Sequence, residues 1–238
     1  MGVARDRLDG TDLTTAPLAA AVEISKRFYA TQALDSVSFD LLAGEVHALI
    51  GENGAGKSTL MKILGGVYQP DSGEIRVDGA IVHYATPAQA LDAGVVVIPQ
   101  EMRIVPAQTV AENVLLGQVP VRRRFGFLPE IDRPEMKRRA KDLLARLNLD
   151  ADPDTPVGRL GYAERQLVMI ARALGRNARI LVLDEPTASL EAREVDRLFE
   201  MIEALKSDGV GLVYVSHRLD EVERIADRIT VLRDGRKV

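Results

Sequence analysis

The chain has 238 residues, of which 46% are hydrophobic, a composition that is ordinary for a globular protein and sufficient for one large domain with a sizeable core. Its formal net charge of -4 argues against a nucleic-acid binder that depends on a strong overall positive field, and the absence of cysteine excludes disulfides and thiolate metal sites. No apolar stretch approaches the roughly 20 residues that a membrane-spanning helix needs, so we expect any membrane role to come through a partner.

Residues 1–20 mix charged side chains such as Arg5 and Asp6 with apolar ones, without a continuous apolar block. Because this composition is typical of neither a signal peptide nor a membrane anchor, we interpret the segment as a flexible leader. We expect a single domain over residues 21–238, with a helical insertion at about 101–175.

The first part of this domain is typical of strands, from Val22 to Ile50. Every second residue from Val37 to Leu41 is apolar, which predicts a half-buried strand. Two further runs, Glu74 to Val77 and Ile81 to Tyr84, are short and half-polar and follow a turn. These patterns predict an antiparallel sheet beside the main one.

A glycine-rich segment follows the apolar run Val46 to Ile50 and leads into a predicted helix that begins at Ser58. It fits the phosphate-loop pattern in full, and the strand before it and the helix after it make a chance turn a poor explanation. Glycines let the backbone turn its N–H groups inward toward an anion, Lys57 would reach the β- and γ-phosphates, and Ser58 would ligate Mg²⁺. We therefore predict a nucleoside triphosphate site at Gly51, Glu52, Asn53, Gly54, Ala55, Gly56, Lys57, Ser58 and Thr59.

The hydrophobic period becomes helical from about Val110 to Gly175. Asp132, three residues before Glu135, is typical of a helix N-cap, and a second helix is predicted from Tyr162 to Leu174. This order predicts a parallel-sheet core that is interrupted by a mostly helical insertion. Beyond the insertion, strands and helices alternate at Ile180 to Leu183, Glu191 to Ser207, Gly211 to Val215, Arg218 to Ala226, and Ile229 to Leu232.

Polar side chains follow three of the predicted core strands, at Gln100, at Asp184 with Glu185, and at His217. Because the carboxyl ends of parallel strands meet at one ligand crevice, we expect these side chains to face the phosphates. Asp184 would hold Mg²⁺ through its water shell, and Glu185 would polarise an attacking water. His217 is placed to contact a γ-phosphate and Gln100 to ligate Mg²⁺, although a surface histidine and a loop glutamine remain alternatives.

Taken in this order, the four elements resemble the ATP-binding-cassette (ABC) ATPases. The resemblance runs from about Val22 to Val238 and implies a P-loop NTPase, RecA-like, in which a mixed α/β sheet carries an antiparallel β subdomain and an inserted helical signature subdomain. The residues that carry it are GENGAGKST, the glutamine of VIPQE, LVLDEPTASL, and the histidine of VYVSHR. A narrower resemblance, to the N-terminal cassette of bacterial monosaccharide importers of the ribose, galactose and xylose type, rests on KRFYATQALDSVSF, GENGAGKSTLMKILGG, TVAENVLLG and YVSHRLDEVERIADRITVLRDG.

The resemblance implies ATP and Mg²⁺ as cofactors, with Glu185 as the catalytic base and His217 as the switch that contacts the γ-phosphate. It places adenine on Phe28, with Tyr29 as the second candidate, and ordinary strand-end packing is the structural alternative for Phe28. Residues 188–191 would form the loop that crosses to a partner cassette.

The family's signature sequence, usually Leu-Ser-Gly-Gly-Gln, is altered at Leu160 to Glu164. Gly161 replaces the serine that donates to the phosphate, Tyr162 and Ala163 replace glycines, and Glu164 brings a negative charge close to the anion. By charge alone this change weakens anion binding, so we predict a poor signature surface. Importers of this type often carry two cassettes on one polypeptide, and this chain resembles the first of them.

The implied function is therefore that of the ATP-hydrolysing subunit of a sugar importer, located peripherally at the cytoplasmic side of the inner membrane. The implied partners are a second cassette on the same polypeptide or in a homodimer, transmembrane permease subunits and, indirectly, a periplasmic sugar-binding protein, with no nucleic acid. A soluble cassette ATPase of translation or DNA maintenance, an exporter and a lipid transporter are the alternatives. We interpret the basic run Arg122 to Arg124 as a surface loop, with contact to a partner or to acidic headgroups as the alternative.

Overall fold

The computed structural model describes residues 16–124 and 127–238 and shows an α/β fold in which a six-stranded sheet, a four-stranded sheet and a group of helices pack around two hydrophobic clusters. The strands are β1 (Ala19–Phe28), β2 (Thr31–Leu41), β3 (Val46–Ile50), β4 (Ser72–Val77), β5 (Ala80–Val82), β6 (Val95–Ile98), β7 (Val121–Arg124), β8 (Leu128–Ile131), β9 (Ile180–Asp184), β10 (Gly211–Val215), β11 (Arg228–Arg233) and β12 (Arg236–Lys237). The α-helices are α1 (Lys57–Leu64), α2 (Pro87–Asp92), α3 (Val110–Val114), α4 (Arg133–Arg146), α5 (Tyr162–Gly175), α6 (Ala192–Ser207) and α7 (Leu219–Ile225).

The larger sheet has the strand order β12-β11-β3-β10-β9-β6. Its five strands from β11 to β6 are parallel, and only the short edge strand β12 is antiparallel to its neighbour. The central strands β9 and β10 are buried along nearly their whole length, as expected for a sheet that is covered on both faces. The predicted parallel core is therefore confirmed, and it brings the carboxyl ends of β3, β6, β9 and β10 to one edge.

The second sheet is antiparallel, with the order β2-β1-β4-β5, and confirms the predicted β subdomain. Val37, Phe39 and Leu41 are all buried in it, as their alternation predicts. Its first strand begins at Ala19, before the domain start predicted at residue 21, because Ala19 pairs with both neighbouring strands of the sheet. The predicted leader is therefore too long at its carboxyl end, and its residues 1–15 lie outside the described part of the chain.

The insertion between β6 and β9 contains α3, α4 and α5, as the helical period predicts. Two helix starts carry side-chain caps: Thr109 accepts a hydrogen bond from the Glu112 N–H at 3.2 Å, and Asp132, as predicted, accepts one from the Glu135 N–H at 3.1 Å. The interpretation of Arg122 to Arg124 as a loop was wrong. These residues form β7, which pairs antiparallel with β8, and Arg122 lies opposite Glu130.

Leu181 lies at the centre of β9 and is fully buried in the core between the main sheet and the helices. Replacing it with alanine removes apolar contacts and leaves a cavity, so we expect Leu181→Ala to lower the free energy of unfolding by about 2–5 kcal/mol. The measurement is urea unfolding followed by circular dichroism. Leu219→Ala is the matched control, because that side chain is 60% exposed and its loss is expected to change stability by less than about 0.5 kcal/mol.

His47, on β3, is buried with its ring stacked on Phe39 at a centroid distance of 4.3 Å. Its Nδ1 lies 2.6 Å from the Asp40 carbonyl oxygen and its Nε2 lies 2.9 Å from the Thr230 hydroxyl, so a neutral ring satisfies both contacts. Burial is the main cause that lowers the pKa of His47 from 6.5 to about 4, with a smaller lowering by Arg228, while the hydrogen bond to Asp40 opposes it.

This lowered pKa makes stability depend on pH. The unfolded chain takes up a proton on His47 as the pH falls below 6.5, whereas the folded chain does so only near pH 4. The contribution of the neutral His47 ring to the free energy of unfolding is therefore fully present above pH 6.5. It is lost progressively as the pH falls toward 4. We expect His47→Gln to flatten this loss, as measured by urea unfolding over that range. An equal pH slope in the two proteins would contradict the assignment.

Candidate functional site

The loop between β3 and α1 has the backbone geometry of an anion site. Gly56 adopts a φ of 104° at the start of α1, in the left-handed region that favours glycine. A Cβ at this position would lie 2.6 Å from the Ala33 carbonyl oxygen and 2.8 Å from the Leu34 side chain. Gly56 is therefore required by both the turn and the close approach of β2. It precedes the N-terminus of α1, and the N-terminus of a helix favours an anion.

Lys57 places a positive charge across this loop. Its side chain is 7% exposed, and its ammonium donates hydrogen bonds to the carbonyl oxygens of Gly51 at 2.6 Å and Glu52 at 3.0 Å. These two contacts hold the charge against the backbone of the same loop. Amides and an ammonium together favour a polyphosphate, because both bind to the same negatively charged oxygens.

A cavity of about 550 Å³ lies at the carboxyl edge of the main sheet. Its lining brings the polar residues at the ends of β6, β9 and β10 together with residues of the phosphate loop. Of the predicted residues, Gly51, Glu52, Ala55 and Phe28 are outside its lining. The side chains and backbone that line it belong to Thr31, Gln32, Ala33, Asn53, Gly54, Gly56, Lys57, Ser58, Thr59, Gln100, Asp184, Glu185 and His217.

The segment from Thr31 to Ala33 was not predicted from the sequence. It opens β2, and its last residue lies against Gly56. No motif marks these residues, since they reach the cavity only because the antiparallel sheet packs beside the phosphate loop. The glycine at position 56 is the one sequence signal that another segment lies close to the loop. It does not indicate that this segment is the start of β2.

The oxygen-bearing residues of the cavity fit a magnesium ion. Ser58, Gln100 and Asp184 offer a hydroxyl, an amide and a carboxylate, which are the hard ligands that Mg²⁺ prefers. Burial raises the pKa of Asp184, and the neighbouring Glu185 charge raises it further, although Lys57 opposes both effects. A divalent cation would offset this crowding of negative charge. In the described residues no group of three or more acidic or histidine side chains could hold a metal.

Glu185 and His217 form a pair at the mouth of the cavity. The Glu185 Oε1 lies 2.9 Å from the His217 Nδ1, and the carboxylate can only accept, so Nδ1 is the donor. Glu185 adopts a φ of 45°, and its N–H donates to the Val215 carbonyl oxygen at 2.9 Å. A left-handed conformation costs a residue with a side chain roughly 1–2 kcal/mol, so the adjacent strand holds the carboxylate in a strained position.

The aromatic residues proposed for adenine lie just outside this cavity. Phe28 is half-buried and contacts the Tyr68 ring edge to face at a centroid distance of 5.1 Å. Tyr29 is fully exposed. Thr31, which pairs with Phe28 across the turn between β1 and β2, lines the cavity. A base that extends past Thr31 would therefore meet this turn, and the role of Phe28 stays a prediction.

The altered signature begins helix α5 in an unusual way. The Glu164 Oε2 accepts a hydrogen bond from the Gly161 N–H at 2.7 Å, so a carboxylate of the chain itself lies at the helix start. That position is where the positive end of a helix would otherwise meet an anion. The contact agrees with the predicted weakness of this signature surface, because the donor is occupied and the local charge is negative.

A phosphate loop on a central parallel strand, an acidic pair at the end of a second strand in the same sheet, and a helical insertion between them define a nucleotide-binding cassette of the P-loop NTPase class. Comparison with known proteins makes this more specific. The chain belongs to the ABC transporter family, whose sequence profile matches residues 34–188. Membership implies that the chain binds a nucleotide.

Among the similar proteins are two sugar-import subunits. A ribose import ATP-binding protein of Rubrobacter xylanophilus is 54% identical over 222 residues, which is 93% of this chain and 44% of the relative. An arabinose import ATP-binding protein of Burkholderia cenocepacia is 52% identical over 215 residues, which is 90% of this chain and 42% of the relative. The chain therefore spans less than half the length of the relatives that it matches.

Solved structures support the same fold. An ATP-binding cassette of an ABC transporter in its ADP conformation matches with a TM-score of 0.81 at 29% identity, covering 94% of this chain and 90% of that structure. A dimeric cassette in a post-hydrolysis state with ADP and phosphate matches with a TM-score of 0.76 at 25% identity, covering 92% of this chain and 96% of that structure. Across the described ranges, no helix has both the length and the apolar character to cross a membrane.

Proposed function

We propose that this chain binds and hydrolyses Mg-ATP as the ATP-binding subunit of an ABC importer for a monosaccharide. The observation that carries the nucleotide part of this proposal is the cavity in which Lys57, Ser58, Asp184, Glu185 and His217 converge. The sugar part rests on the ribose and arabinose import proteins to which the chain is similar.

In this mechanism the phosphate loop and Lys57 bind the β- and γ-phosphates, and Ser58, Gln100 and Asp184 hold the metal ion. Mg²⁺ supplies charge neutralisation at the phosphate oxygens. Glu185 orients the attacking water and accepts its proton, and His217 is the switch that contacts the γ-phosphate. Phe28 stacks on adenine at the β1–β2 turn.

The proposal includes partners. A second cassette, on the same polypeptide or in a homodimer, would complete the site across residues 188–191, and permease subunits would carry the sugar from a periplasmic binding protein. The chain would then lie peripherally on the cytoplasmic side of the inner membrane. The negative, self-capped signature at Glu164 supports a pair in which this cassette supplies a good phosphate loop and a poor signature.

Titration calorimetry tests the nucleotide part. We expect the chain to release heat on binding Mg-ATP, and to bind Mg-GTP no more tightly. Absence of any binding heat would contradict the proposal.

The transport part is tested by expressing the protein with its permease subunits and measuring uptake of labelled ribose, arabinose and galactose. Retention of the chain on ribosomes or DNA instead of on membranes would favour the soluble alternative.

A further inference from the structure

A buried carboxylate connects two loops of the candidate site. Glu221, on α7, is 2% exposed. Its Oε2 accepts hydrogen bonds from the Thr187 hydroxyl at 2.7 Å, the Tyr214 hydroxyl at 2.8 Å and the Ser216 hydroxyl at 3.3 Å. Three neutral donors that converge on one carboxylate oxygen form a small and fully internal network.

The members of this network belong to different elements of the fold. Thr187 follows Glu185 by two positions in the loop after β9, whereas Ser216 immediately precedes His217 in the loop after β10. The first loop continues into residues 188–191, which are proposed to face a partner cassette. Glu221 thus contacts, in one place, the loop of the catalytic base and the loop of the γ-phosphate switch.

Arg218 adds charge to the same point. Its Nη1 lies 2.6 Å from the Glu221 Oε1 as an ion pair, and its backbone N–H donates to the Ser216 hydroxyl at 3.0 Å. The geometry of this ion pair does not fit a hydrogen bond. Within the described part of the chain, the Glu221 Oε1 therefore has no hydrogen-bond partner. The carboxylate therefore depends on the donors at Oε2, and a shift in either loop would leave a buried charge less well satisfied.

The hydroxyls act as donors here because an ionised carboxylate can only accept. Burial raises the pKa of Tyr214, and the Glu221 carboxylate raises it further, so the phenol keeps its proton at all ordinary pH values. The three hydroxyls thus share the Glu221 Oε2 as their common acceptor. Such an arrangement responds to displacement of any member, since each hydroxyl competes for the same oxygen.

We propose that Glu221 is a positioning residue that couples the Glu185 loop to the His217 loop. Contact of residues 188–191 with a partner would move Thr187, and the shared carboxylate would pass that displacement to Ser216 and thus to His217. The inference rests on the proposed ATP hydrolysis, because the two loops are those of its base and its switch. It assigns to Glu221 no contact with the nucleotide.

The test uses Thr187→Val, Ser216→Ala and the double variant, which remove donors on separate loops with little change in volume. We expect each single variant to lower kcat for Mg-ATP by about 10-fold and to leave the Kd from calorimetry within about twofold. The double variant is expected to lose little more than one single variant, because both act through the same carboxylate. Independent losses, which multiply to about 100-fold, would overturn the coupling.

Glu45→Gln is the matched control, because Glu45 is 5% exposed but lies at the opposite, amino-terminal edge of the main sheet. It is expected to lower thermal stability without lowering kcat. An equal kcat loss in Glu45→Gln would show that any damaged buried carboxylate has this effect and would overturn the proposal.

The proposed ATP hydrolysis and the coupling through Glu221 can be tested separately. If the unaltered chain binds no Mg-ATP, the proposed function fails, and the coupling is then measured by hydrogen exchange. In that case Thr187→Val is expected to speed exchange of the 216–218 amides, on the other loop, by about 10-fold. Unchanged exchange there, with faster exchange only near residue 187, would overturn the coupling.

Discussion

Glu185→Gln is expected to lower ATP turnover by about 10²–10⁴-fold while Mg-ATP binding stays intact. Glutamine has nearly the same shape, and its amide oxygen can still accept the hydrogen bond from the His217 Nδ1 that the carboxylate accepts at 2.9 Å. It cannot accept a proton from the attacking water. The measurement is phosphate release in a single turnover, alongside calorimetry with Mg-ATP.

Two comparisons make this result specific to the base. Glu203→Gln changes the same chemical group on the outer part of α6, where the side chain is 53% exposed, and is expected to leave turnover unchanged. His217→Ala removes the pair partner without removing the base and is expected to lower kcat less than Glu185→Gln does. Normal steady-state turnover by Glu185→Gln in the assembled complex would exclude Glu185 as the base.

The parallel core could be predicted because its strands are short and continuously apolar. Runs such as Val95 to Ile98 and Ile180 to Leu183 are mostly buried, and each is too short for a helix. Their order then fixes which polar residues share an edge. The convergence of Gln100, Asp184 and His217 on one cavity follows from this rule and needs no further information.

The hairpin of β7 and β8 could not be predicted in the same way. Three consecutive arginines have no alternation and little intrinsic preference for a strand, so the pattern of Arg122 to Arg124 resembles a solvated loop. The structure forms there through pairing with Leu128 to Ile131. Cross-strand pairing is a property of two segments, and a reading of one segment at a time misses it.

The start of β1 and the Glu221 network could not be predicted from the sequence, for related reasons. Ala19 and Ala20 carry too little side chain to show a period, and they join the sheet through backbone pairs with β2 and β4. Glu221 lies in a charged helix whose sequence is typical of a surface. Its carboxylate can be buried because it accepts hydrogen bonds from the hydroxyls of Thr187, Tyr214 and Ser216. These hydroxyls come together only in the folded chain.

The weakness of the altered signature stays a prediction, and the hydrogen bond at its helix start could not be predicted from the sequence. The exchange of serine for Gly161 and the charge of Glu164 indicate weaker anion binding. The structure adds that Glu164 reaches back to the Gly161 N–H at 2.7 Å. The helix start is therefore stabilised by the chain itself, by about 0.3–1 kcal/mol.

Lys57→Ala is expected to weaken Mg-ATP binding by about 100-fold or more. The ammonium is buried and its position is fixed by the carbonyl oxygens of Gly51 and Glu52, so it meets the phosphates with little loss of side-chain freedom. Hydrogen bonds to charged groups contribute roughly 1.5–3 kcal/mol each, and about 1.4 kcal/mol corresponds to tenfold in Kd. Calorimetry with Mg-ATP measures the change.

Lys62→Ala is the matched control, because Lys62 lies on the same helix with its Nζ 5.5 Å from the centre of the Tyr68 ring, outside the cavity lining. It removes an equal charge from the same region and is expected to change Kd by less than about threefold, since exposed charges are screened by solvent. Equal losses in the two variants would mean that the general positive field of α1 binds the nucleotide. A loss confined to Lys57→Ala requires direct contact with the phosphates, and that contact is what makes this loop a binding site for ATP.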